Sequence, residues 1–61
     1  MLIKEIMDQK KLTKRELSIL SGVPYSTISD IVSSKADITK SSADTVYRLA
    51  EALGVTMEEL L

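Results

Sequence analysis

The stretch Leu12-Thr13-Lys14-Arg15-Glu16-Leu17-Ser18-Ile19-Leu20-Ser21-Gly22-Val23-Pro24-Tyr25-Ser26-Thr27-Ile28-Ser29-Asp30-Ile31-Val32 decides how this chain folds. Thr13 is placed to accept a bond from a first-turn N–H, and Glu16, three residues on, can reach back to the Thr13 N–H, a reciprocal capping box. Leu12 before the cap and Leu17 at the fourth helical position form the apolar staple that sets the angle of the incoming chain. A helix therefore starts at Lys14, and it stops at Gly22, the residue best suited to the left-handed position past a helix end. The spacing predicts this helix over 14–21. Pro24 has no N–H and a fixed φ, so it marks the start of a further helix within two residues of the turn. That next helix is predicted over 25–33. Ile28, Ile31 and Val32 make its apolar stripe, with Tyr25 at the edge, and its other face reads Ser26, Ser29, Asp30 and Ser33. Hydroxyls compete with the helical backbone for hydrogen bonds, so a face this rich in serine is not chosen for helix stability.

Outward from this pair, the same grammar repeats. Upstream, Leu2, Ile3, Ile6 and Met7 share one face of a first helix, with Lys4, Glu5 and Asp8 opposite, fraying into Gln9-Lys10-Lys11. Downstream, residues 33–42 read as a loop with Ile38 as its anchor into the core. Ser41, with Asp44 three residues later, is expected to cap a fourth helix, in which Val46, Leu49, Ala50 and Leu53 fall at i, i+3, i+4 and i+7, and Gly54 ends it. Thr56 and Glu59 then form a second capping box, with Val55 and Leu60 as its staple. Strand signals are nearly absent: apolar residues do not alternate, and no Asn-Gly or Asp-Gly pair occurs. The expected fold is all-α, a five-helix bundle, with residues 1–61 as a single domain.

Composition limits what such a domain can do. The 61 residues are 44% hydrophobic and 28% charged, too apolar for a disordered tail, and no apolar run approaches a bilayer span. With no Cys and no His, disulfides, zinc fingers and thiolate or imidazole catalysis are excluded, and no metal site or cofactor is expected. Paired carboxylates in a pocket are not evident either, so the chain does not read as an enzyme. No signal segment opens it, which makes the cytoplasm the default location. The net charge of -1 argues at first against a nucleic-acid partner. Its distribution reverses that argument. Residues 10–40 hold Lys10, Lys11, Lys14, Arg15, Lys35 and Lys40 against Glu16, Asp30 and Asp37, a segment of net +3, whereas the acidic surplus lies in 1–9 and 41–61.

Two short helices joined by a Gly-containing turn, inside a five-helix domain, is a helix-turn-helix arrangement. Thr13-Lys14-Arg15-Glu16-Leu17-Ser18, Ser21-Gly22-Val23-Pro24-Tyr25-Ser26-Thr27-Ile28-Ser29, Leu49-Ala50-Glu51-Ala52-Leu53-Gly54-Val55 and Glu58-Glu59-Leu60 together resemble the phage-repressor and Cro-like helix-turn-helix family, also called the Xre family, with a lambda-repressor-like fold. The resemblance runs from Leu2 to Leu60. It implies sequence-specific binding of double-stranded DNA by a transcriptional regulator or repressor, often an antitoxin, acting as a homodimer, with a toxin or an additional domain as further partners. Carried over by position, Tyr25, Ser26, Ser29 and Asp30 would contact base edges, and Lys14, Thr27, Lys35 and Lys40 would contact phosphates. Leu17, Leu20, Ile28, Ile31, Val46, Leu49 and Leu53 fall at core positions of the family.

The chain departs from that pattern in three places. Ser18 replaces the usual Ala in helix two and brings a hydroxyl that needs a partner, and Ser34 stands where a Gly often ends the recognition helix. The reading face also lacks the long Gln, Asn and Arg side chains that make bidentate base contacts. Lys10, Lys11 and Arg15 read as a solvated basic rim that raises the local potential. Tyr47, Met57, Leu60 and Leu61 are the candidate dimer or partner contacts. The alternative reading is a helix-turn-helix module turned to protein–protein interaction, of antitoxin or anti-regulator type, which the pI near 5.2 supports.

Overall fold

Among the described residues, the starts of three helices fall where a backbone N–H finds a side-chain cap. The computed structural model describes residues 3–33 and 35–61. In chain order these form α1 (Ile3–Lys10), α2 (Lys14–Ser21), α3 (Tyr25–Val32), a 3-10 turn (Ile38–Lys40), α4 (Ala43–Leu53) and α5 (Met57–Leu60). The readings made for Leu2 and Ser34 lie outside the described residues. At the start of α2 the Glu16 N–H donates to Thr13 Oγ1 at 3.1 Å, and the Thr13 N–H donates to Glu16 Oε1 at 3.0 Å. The same box closes at Thr56 and Glu59 ahead of α5.

Three boundaries differ from the sequence expectation, the slightest being the end of α3, at Val32 in place of residue 33. The cap of α4 is Ser42, whose Oγ accepts from the Thr45 N–H at 3.2 Å, in place of Ser41. The segment 33–42 is not wholly irregular. Asp37 caps a 3-10 turn by accepting from the Thr39 N–H at 2.9 Å and from Thr39 Oγ1 at 2.7 Å. The Ser41 N–H closes that turn on the Ile38 carbonyl at 3.0 Å, so α4 begins one residue later than expected. The end of α1 also differs. Lys11 takes a left-handed conformation, φ 55°, and the Leu12 N–H bonds the Met7 carbonyl at 2.9 Å, the six-to-one closure that finishes a helix cleanly rather than letting it fray.

Both glycines are left-handed, with φ 73° at Gly22 and 70° at Gly54, yet the two Gly-Val pairs are closed differently. After α4 the Val55 N–H reaches back to the Ala50 carbonyl at 3.0 Å, the ordinary closure. After α2 the Val23 N–H instead donates to the side chain of Ser21 at 3.2 Å, because the chain must swing into α3 at once.

The core gathers one stripe from each helix. Ile6 of α1, Leu17 of α2, Ile28 of α3, and Leu49 and Leu53 of α4 are the largest fully buried side chains, and each such burial stabilises by about 1.5–3 kcal/mol. Leu60 of α5 joins them, with Leu12, Ile38, Val55 and Met57 packed half-buried around the cluster. Helix α2 packs on both α3 and α4, α1 on α3 and α4, and α5 on α4. Leu20 breaks the expected pattern. It is 61% exposed, and the α2 face that packs inward is Leu17 and Ser21, four residues apart.

Candidate nucleic-acid interface

The position of α3 is set by two serines of α2. Ser18 Oγ donates to the Val23 carbonyl at 2.7 Å, so the hydroxyl that replaces the family's alanine has a partner. Ser21, the buried polar residue of the core, donates to the Leu17 carbonyl at 2.7 Å and accepts from the Val23 N–H. Val23, itself 4% exposed, is thus held at both its N–H and its C=O by hydroxyls of the preceding helix. Pro24 follows at φ -56° as the residue before α3, and its carbonyl accepts the first helical bond, from the Ile28 N–H at 3.2 Å. The turn is therefore fixed by side chains as well as by packing. Ser21 was not among the sequence candidates; a serine four residues after a core leucine, just before the glycine, was the signal for it.

On α3, Ile28 and Ile31 face the core, and Tyr25, Ser26, Asp30 and Ser33 are exposed, with Thr27 and Ser29 half-buried. Ser26, Ser29, Asp30 and Ser33 fall at i, i+3, i+4 and i+7, one continuous polar stripe opposite the buried one. Tyr25 is 53% exposed at the first helical position. The stripe carries one formal charge, Asp30, and no cation. The backbone at its end is tightly held: the Asp30 carbonyl accepts from the Lys35 N–H at 2.9 Å, the Ala36 N–H at 3.1 Å and Ser33 Oγ at 3.3 Å. Lys35 is thereby brought within a turn of Asp30.

The other basic candidates sit on separate elements. Lys14 is the first residue of α2, half-buried, beside first-turn amides that have no partner within the helix. Glu16 occupies the same helix end, and its hydrogen bonds from the Thr13 backbone and then from the Thr13 hydroxyl hold its carboxyl below the usual carboxylate range. Lys40 is exposed at the end of the 3-10 turn, close enough to Asp37 to help lower that carboxyl, although the bonds from Thr39 contribute more. Lys40 thus has a carboxylate close by, which reduces the field it offers to an anion. Lys10 has a different post: its Nζ lies 3.7 Å from where a Cβ on Gly54 would stand, at the C-terminal end of α4, where a cation favours the helix dipole.

The contacts expected of a partner are only partly available. Leu60 is 4% exposed and fills the domain's own core, so it offers nothing to a second molecule, whereas Leu61 is 61% exposed, Tyr47 55% exposed and Met57 half-buried. Two clefts meet at Tyr47 and Glu51. One of about 450 Å³ runs past Leu20, Ser21, Arg48 and Ala52, and one of about 320 Å³ runs past Val55, Met57 and Glu58. Glu51 accepts the Tyr47 hydroxyl proton in a hydrogen bond, and this bond and the Glu51 charge raise the phenol above its ordinary pKa. Arg48 was overlooked in the sequence. It pairs with Asp44 at 3.0 Å, and its guanidinium overlies the turn, 3.3 Å from where a Cβ on Gly22 would stand. Among the described residues no three His, Cys, Asp or Glu side chains gather as a metal would need, and no helix is long and apolar enough to cross a membrane.

Comparison with known proteins agrees with this geometry. The helix-turn-helix family model matches residues 3–60. Neither the curated proteins nor the solved structures give a match. The chain belongs to the helix-turn-helix family, of the phage-repressor and Cro-like (Xre) kind, a family of DNA-binding transcription regulators rather than of enzymes.

Proposed function

We propose that the chain is a sequence-specific DNA-binding domain of a transcriptional repressor that lays α3 in the major groove of double-stranded DNA. The observation that carries this reading is the α3 stripe: Ser26 and Asp30 are exposed with Ser29 half-buried between them and Tyr25 at the leading end, on a helix whose other face is locked into the core. Such a helix presents donors and acceptors to base edges without distorting the fold. Lys14 at the α2 N-terminus grips one phosphate together with the first-turn amides. Lys35 and Lys40 grip others, and Thr27 approaches the sugar-phosphate chain. A bound domain represses by occupancy, since no chemistry on the DNA is needed.

The working unit is a homodimer in the cytoplasm, and residues 1–61 act as one domain within it. With Leu60 consumed by the core, the contact falls to Tyr47, Met57 and Leu61, around the clefts beside α4. The same exposed Tyr47 and Leu20 favour the second reading, a module that docks on a protein such as a toxin. The two readings separate in one titration. Fluorescent random duplex DNA is mixed with the domain at two salt concentrations, and the log of the affinity is expected to fall linearly with log salt. Lys14→Ala should weaken all sequences about equally and lower that slope by about one. Binding that ignores salt, or a slope unchanged in the variant, would remove the phosphate role.

A further inference from the structure

The acid on α3 names a base. We infer that Asp30 selects cytosine at one position of the target site, an inference that rests on the major-groove reading above. Asp30 is the only formally charged residue in α3, and its side chain is exposed in the outward stripe. Bringing a carboxylate into the groove of a polyanion is unfavourable unless it meets a hydrogen-bond donor there. The chemistry of the base edges restricts the choice. Guanine offers O6 and N7 and thymine offers O4, all acceptors, which a carboxylate oxygen repels. Adenine offers the N6 amino donor with the N7 acceptor beside it, so a carboxylate that takes the first has its second oxygen pressed against a lone pair. Cytosine offers the N4 amino group with only a C–H next to it, and is the one base that an acceptor-only side chain can meet without penalty.

Two further observations support this assignment. The backbone of Asp30 is fixed, since its carbonyl takes three hydrogen bonds from Ser33, Lys35 and Ala36, so the carboxylate stands at a defined height along the helix. The bond from the Lys35 N–H also fixes the backbone of a cationic residue in the turn that follows Asp30. The serines on either side are short and can donate or accept, so they tolerate several bases. Most of the discrimination therefore falls on Asp30, by exclusion of three bases.

The test is selection from a randomised duplex library by the wild-type chain, by Asp30→Ala and by Asp30→Asn, with the helical circular dichroism of each checked first. The wild type is expected to enrich a motif with one fixed C·G pair, and replacing that cytosine in a defined duplex should weaken binding about tenfold or more. Asp30→Ala should lose the preference at that single position and keep the rest. Asp30→Asn should move it to adenine, because a carboxamide matches the N6 and N7 edge. If the wild type enriches a motif that both variants reproduce unchanged, or fixes a different base where the variants relax, the inference is overturned and the major-groove reading stands. If the wild type enriches no motif, the major-groove reading itself fails, and the inference with it.

Discussion

Ser21→Ala removes one oxygen atom and should be felt across the whole domain. The hydroxyl is the acceptor for the Val23 N–H, at 3.2 Å, in a residue 4% exposed, so the variant leaves a buried donor without a partner. An orphaned group of this kind costs about 1–3 kcal/mol. Alanine returns about 0.5 kcal/mol through its better helix propensity. The net loss is about 1.5 kcal/mol. Unfolding entropy near the midpoint is about 2.1 cal/mol/K per residue, or about 0.13 kcal/mol/K for 61 residues, so the midpoint should fall by about 12 °C. Thermal unfolding followed by circular dichroism at 222 nm measures this directly, and amide exchange should show Val23 losing protection first. A midpoint within about 3 °C of wild type would mean that the turn is held by packing and glycine alone, and the account of Val23 as doubly held would be wrong.

Other perturbations discriminate among the remaining claims. Gly22→Ala forces a Cβ into a left-handed position, which costs about 1–2 kcal/mol, and displaces the Arg48 guanidinium; Asp44→Asn, which only breaks an exposed pair, should leave the midpoint nearly unchanged. Glu16 is held below its ordinary pKa in the folded state, so the unfolded state binds more protons and stability drops as pH falls from the ordinary carboxylate range through the lowered value. Glu16→Gln keeps the capping bond without titrating, and its melting temperature should decline less than that of wild type between about pH 5 and pH 2; equal declines would refute the assignment. Leu49→Ala, at a site with no exposure, should cost about 2–5 kcal/mol, which a domain of this size can barely survive. Leu20→Ala, at 61% exposure, should shift the midpoint by less than about 4 °C, and a large shift would restore Leu20 to the core.

The parts of this fold legible in sequence are those with a local cause. The Thr13–Glu16 and Thr56–Glu59 boxes, the left-handed glycines, and the α4 stripe of Val46, Leu49, Ala50 and Leu53 each involve residues within a few positions of one another, and the structure repeats them. Ser41 and Ser42 could not be told apart because both are good caps; the 3-10 turn at Ile38–Lys40 spends the Ser41 N–H and decides between them. Leu20 was expected in the core because the resemblance puts it at a core position of the family. Ser21, four residues after Leu17, took the inward place because its hydroxyl meets the Leu17 carbonyl and the Val23 N–H, a gain that exists only once α3 is in position. The α3 stripe was legible by period, and the resemblance supplied the use proposed for it. Arg48 over Gly22 was not legible at all, since twenty-six residues separate a contact that only the packing of α2 on α4 creates.

The bundle's longest dimension is 25 Å. Base pairs rise about 3.4 Å each along the duplex, so a body of this length spans about seven of them. Seven fully specified pairs recur by chance about once in every 16,000, and a genome offers at least a million competing positions. One copy therefore carries too little information to mark a unique address, however well each side chain reads its base. On the proposed major-groove reading, uniqueness would come from reading twice, and the small size of this domain would make the spacing between two readings as much a part of the message as the letters themselves.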